Sequence, residues 1–181
     1  MNAMNAMNAM DAITTTCPEC GARWDDMTCA DYFQELLALD HRDVHPFGRF
    51  HGLNVACYLL QHPSEIPEGQ QDQIGSPWQM LTVYLSGGIE AVNDLERLQD
   101  AGGVPSFDAP VAGSPGAVRF SSDAPIPVPE RRRAPSITIG DVAATDPNDP
   151  SRGLFPVAGY EDRMHLWVLS IAAERGLGAA A

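Results

Sequence analysis

The chain has 181 residues, 44% of them apolar, a formal net charge of −13 and four cysteines. That length and apolar share fit one domain with a tail, and enough oily surface for a core. The acidity argues against a nucleic-acid binder, which needs a basic stripe to neutralise phosphates, and against attraction to an anionic membrane.

The opening repeat MNAMNAMNAM has neither a basic region nor an apolar stretch of signal-peptide length. Residues 1–16 are expected to be a disordered leader, within which Met4, Met7 or Met10 could equally be the start. No run approaches the roughly 20 apolar residues needed to span a bilayer, so the expected location is cytoplasmic. In a reducing cytosol, closely spaced cysteines are more often metal ligands or redox groups than disulfides. The stretch CPECGARWDDMTC, residues 17–29, holds three of the four.

After it, CADYFQELLALD predicts a helix, with Tyr32, Phe33, Leu36, Leu37 and Leu39 recurring at three- and four-residue spacing. HRDVHPFGR is a connector punctuated by Pro46 and Gly48. FHGLNVACYLLQHP predicts a second helix, stopped by Pro63. SPWQMLTVYLSGG predicts a third, with Ser76 as N-cap and Pro77 in its first turn. Gly87 and Gly88 break it before a fourth, IEAVNDLERLQDAGG. Periodicity then disappears into a Pro/Gly-rich linker, residues 103–135, whose ERRRAP cluster reads as solvated charge or a docking motif. ITIGDV reads as a short strand or an extended lead-in to a last helix, YEDRMHLWVLSIAAERG. The fold expected is mainly α: a small helical bundle carrying an N-terminal zinc-knuckle-like CPxCG segment. Its parts are the leader 1–16, the knuckle and helical hairpins 17–102, the linker 103–135, and a C-terminal segment 136–181 packing on the same domain.

Two thiolates three residues apart can face one ion, and Gly21 permits the tight turn between knuckle and chain. A closed zinc site takes four ligands, and Cys29 is the natural third. The fourth follows from packing. Two helices joined by a short connector lie antiparallel, so the start of the first meets the end of the second. Cys29 should therefore face His62 rather than His51, which stands roughly 16 Å away along the helix. Cys17, Cys20, Cys29 and His62 are thus the expected Zn ligands. Free thiols, or a redox pair at Cys17 and Cys20, remain alternatives, although the βαβ context of a thioredoxin-like pair is missing. Cys57, between apolar neighbours, reads as a small core residue. His51, Tyr58, Gln61 and His165 are candidates for a pocket wall.

These residues carry a resemblance. CPECG, a cysteine before FQELLALD, and then His51, Val55, Tyr58, Gln61, His62 and Pro63 are similar to an uncharacterised family of small bacterial proteins. Its pattern is CPxCG, a cysteine before a helix, and HxxxVxxYxxQHP. The likeness spans residues 17 to about 175 and implies a shared fold, but no activity. The function expected is a cytosolic zinc-binding helical protein acting through a protein partner or small-molecule ligand. The alternative is a metal-dependent hydrolase or thiol transferase using His51, His62 and His165. Neither a Gly-x-Ser-x-Gly elbow nor a P-loop is present.

Overall fold

A computed structural model describes residues 15–24, 27–42, 44–70, 74–101, 108–110, 117–119, 127–144 and 153–177. The expected leader lies outside these residues except for Thr15 and Thr16. They form β1, Thr15–Thr16, which pairs antiparallel with β2, Arg23–Trp24. The register sets Thr16 opposite Arg23, so the six residues Cys17 to Ala22 close the hairpin. Within that loop Cys17 N–H donates to Ala22 O and Gly21 N–H to Cys17 O. Gly21 has φ +77°, a conformation that strains any residue with a side chain.

Helix α1 covers Cys29–His41. Thr28 caps it: its hydroxyl accepts the Asp31 N–H, and the Asp31 carboxylate accepts the Thr28 N–H in return. A 3-10 turn, Phe47–Phe50, feeds directly into α2, His51–Gln61. Pro63 ends α2 and opens a second 3-10 turn, Pro63–Glu65.

Helix α3 runs Gly75–Asp100 with Gly88 non-helical at φ 69°, ψ −164°. The expected third and fourth helices are the two helical segments of α3, which meet at Gly88, one of the two glycines expected to break them. The expected Ser76 cap is not used; the helix begins at Gly75, and no side chain caps it.

Within the linker expected at 103–135, Asp108–Pro110 (β3) and Ala117–Arg119 (β4) pair antiparallel, and residues 127–135 pack on the body of the protein. ITIGDV is not extended. Thr138 and Asp141 form a second capping box that starts a short helix, α4, over Ile139–Ala143. The last helix, α5, covers Tyr160–Glu174.

The main core joins both ends of the sequence. Leu36 of α1, Leu53 and Leu60 of α2, Leu81 of α3, Ile139 of α4, and Met164, Trp167 and Ile171 of α5 are all fully buried in it. Cys17, Cys20 and Cys29 lie at its edge, so the hairpin loop is part of the packed body. Among the described residues no helix is long and apolar enough to cross a membrane.

Candidate metal centre

Cys17 and Cys20 come from the β1–β2 loop, Cys29 from the first position of α1, and His62 from the residue that follows α2. Their donor atoms lie within 4.8 Å of one another, and all four residues are buried. The antiparallel meeting of the start of α1 and the end of α2 is the one expected from sequence. Two sulfurs on one tetrahedral zinc ion stand about 3.8 Å apart. Cys20 Sγ and Cys29 Sγ are separated by 3.6 Å, and no cysteine is in a disulfide.

The histidine carries the sharpest chemical signal. His62 Nδ1 is 3.0 Å from Tyr58 O, and a carbonyl only accepts, so Nδ1 holds the proton. Nε2 is then a lone pair. It is buried and has no hydrogen-bond partner within the protein. A buried acceptor left alone costs about 1–3 kcal/mol, and a cation shared with the thiols removes that cost. The ring is held by stacking: Tyr58 lies 4.5 Å below it and is itself stacked on Phe33 of α1 at 3.9 Å.

The electrostatics favour a thiolate at Cys29. The Cys20 thiol donates to it, and the Trp24 indole N–H, 3.2 Å away, adds to the effect against the cost of burial. Together they hold the Cys29 thiol well below its ordinary range. Cys29 is also the first residue of α1, where the positive end of the helix dipole acts in the same direction. The same contact and burial raise Cys20, so without a cation the pair shares a proton. All three sulfurs can be ionised together only if a positive charge balances them.

Around this centre the protein supplies a support that the sequence pattern did not reveal. Glu19, between the two knuckle cysteines, accepts the N–H and hydroxyl of Ser64, two residues beyond His62. Arg131, from the ERRRAP cluster, points inward. It donates to Glu19 O at 2.6 Å, to Leu60 O at 3.1 Å and to Gln61 O at 2.9 Å, and pairs with Glu174 of α5 at 3.1 Å. The cluster was expected to be solvated or a docking motif; Arg131 is instead an internal clamp. Its one legible signal was three adjacent cations in an acidic chain.

The other candidate residues have separate engagements. His51 pairs with Asp40 at 3.2 Å. Tyr58 belongs to the ring stack under His62. Gln61 is fully buried, donates to Glu174 and Ile137 O, and accepts from the Trp167 indole at 2.9 Å. His165, exposed on α5, lies 3.4 Å from the Tyr84 hydroxyl. Cys57 is fully buried, as expected of a core residue.

Residues 15–175 match the model of a family of unknown function, DUF5946, and the chain belongs to that family. No curated protein and no solved structure matches it.

Proposed function

We propose that Cys17, Cys20, Cys29 and His62 hold one structural zinc ion that staples the hairpin loop to the ends of α1 and α2. The reading rests on the His62 Nε2 lone pair, buried without a partner beside three thiols. Three sulfurs and one imidazole nitrogen are a donor set that zinc takes in closed tetrahedral sites. Bound there, the ion would supply charge balance and folding free energy rather than an open coordination position. Cys29 would bind as the thiolate its surroundings already favour, and Tyr58 O would fix the tautomer of His62.

A closed site makes the metal part of the scaffold. The activity then belongs to the surfaces it holds in place, through a protein partner or a small-molecule ligand, and reduced thiols fit a cytosolic setting. The same reading makes residues 17–102 and 136–181 one folding unit, supported by the shared core and by the Arg131 clamp. No observation favours the alternative of a His51, His62 and His165 centre, since each ring has its own separate partner.

Metal analysis of protein purified without a nickel column tests the reading. One zinc per chain is expected, with loss of most of it in Cys20→Ser. Less than about half an equivalent in the parent protein, or unchanged occupancy in the variant, contradicts it.

A further inference from the structure

The opposite end of α2 carries a second arrangement. His51 opens that helix with 47% of its side chain exposed, yet its Nδ1 lies 3.2 Å from Oδ2 of Asp40, whose side chain is only 2% exposed. Asp40, near the end of α1, also accepts from Asn54 Nδ2 at 3.2 and 3.3 Å. Asn54 is fully buried, and its orientation is set by the Tyr160 hydroxyl, which donates to Asn54 Oδ1 at 2.8 Å. Three helices thus fix one carboxylate against one imidazole.

Burial pushes the Asp40 carboxyl up, and hydrogen bonds from Asn54 and His51 oppose that push. A surface histidine needs no such support merely to be solvated. With its proton on Nδ1 toward the carboxylate, His51 presents Nε2 as a lone pair. This is the outer support that metal-ligating histidines commonly have.

Two further groups lie near this end of α2. His41, the last residue of α1, is exposed, and its ring centroid is 6.0 Å from that of His51. Two imidazoles on one tetrahedral ion, with metal–nitrogen bonds of about 2.0 Å, have centroids roughly 5 Å apart. A rotamer adjustment of an exposed side chain covers the difference. From α3, Glu96 lies against the backbone of Gly52, where an added Cβ would meet its Oε1 at 2.0 Å. The absence of a side chain at Gly52 lets that carboxylate approach the first turn of α2.

We propose that His51 and His41 form a second site for a divalent transition-metal ion of the zinc class, with Asp40 as the positioning residue behind His51. The set contains no sulfur, and solvent fills the remaining positions, so the ion is exchangeable and open to an anionic ligand. The site is independent of the thiol centre in residues and in argument.

Calorimetric titration of the full chain with zinc, read beside imidazole nitrogen resonances, tests the proposal. Expected is binding beyond the thiol centre that shifts the His51 and His41 Nε2 signals. His51→Ala abolishes that binding and His41→Ala weakens it at least about tenfold. Asp40→Asn weakens it about 10–100-fold with the helical circular dichroism unchanged. If the thiol centre fails to bind zinc, the histidine shifts still appear, so the two readings fail separately. Unchanged binding in His51→Ala, no shift of either ring in excess zinc, or equal shifts of His45 and His165 (an adventitious ion only) each overturn the proposal.

Discussion

A histidine has two ring nitrogens, and the use His62 makes of each decides how this protein is read. One is bonded to Tyr58 O; the other is buried beside sulfur with no partner. His62→Ala is expected to weaken zinc retention at least about tenfold, while Cys57→Ser leaves it unchanged; competition with a chromophoric chelator measures both. The Trp24 N–H bond to Cys29 Sγ withdraws charge from that sulfur. Hydrogen bonds to charged groups are worth about 1.5–3 kcal/mol when buried, and Trp24 is part-exposed. Trp24→Phe should therefore weaken zinc binding about tenfold at most and quicken attack by thiol reagents. The pH dependence has a definite sign. The thiol of Cys29 is lowered, so its thiolate is present at neutral pH and is lost only as pH falls well into the acid range. Because the proposed ligands must be deprotonated to bind, zinc should be released on acidification rather than on alkalinisation, readable in the supernatant of a dialysis series.

Among the elements, α1 and α2 matter for where they start and stop. The capping box at Thr28 fixes the first turn of α1, and with it the position of Cys29. Thr28→Ala should cost about 1 kcal/mol in urea unfolding of the zinc-loaded protein. Gly88 allows α3 to bend, at a φ/ψ that residues with side chains avoid, so Gly88→Ala should cost about 1–3 kcal/mol. Segment 127–135 is an irregular stretch whose docking on the body sequence periodicity could not show. It lacks an apolar repeat because it docks through its backbone, where Arg132 N–H donates to Glu174 O at the end of α5, and through Arg131, which donates to carbonyls at the end of α2. Arg131→Met leaves the buried Glu174 without its nearest ion-pair partner, although Arg175 remains close. Breaking a buried pair costs about 3–5 kcal/mol, and the partial exposure of Arg131 places this case at the lower end, about 3 kcal/mol. Chemical denaturation of the variant checks the value.

Across the whole molecule, what was legible from sequence had a short-range physical cause. Three- and four-residue apolar spacing marked α1, α2 and α5, and Pro63 and Gly88 marked a stop and a bend. The pairing of Cys29 with His62 was legible because antiparallel packing of neighbouring helices leaves little choice. Contacts between distant segments were not legible. Gln61 with Glu174, Asn54 with Tyr160, and Arg131 with Glu19 are polar pairs across 106 to 113 residues of chain, and no periodicity announces them. Gln61 and Arg131, both bonded to Glu174, also tie the thiol centre to α5, so zinc removal should be felt globally. A ligand at a thousand times its dissociation constant adds about 4 kcal/mol. At about 2–4 °C per kcal/mol for a chain of this size, chelation should lower Tm by roughly 8–16 °C. The most direct measurement of the central claim is zinc-edge X-ray absorption on the purified protein. The account predicts three sulfurs at about 2.3 Å and one nitrogen at about 2.0 Å around each zinc. A shell of oxygen and nitrogen alone, or of four sulfurs, would contradict it.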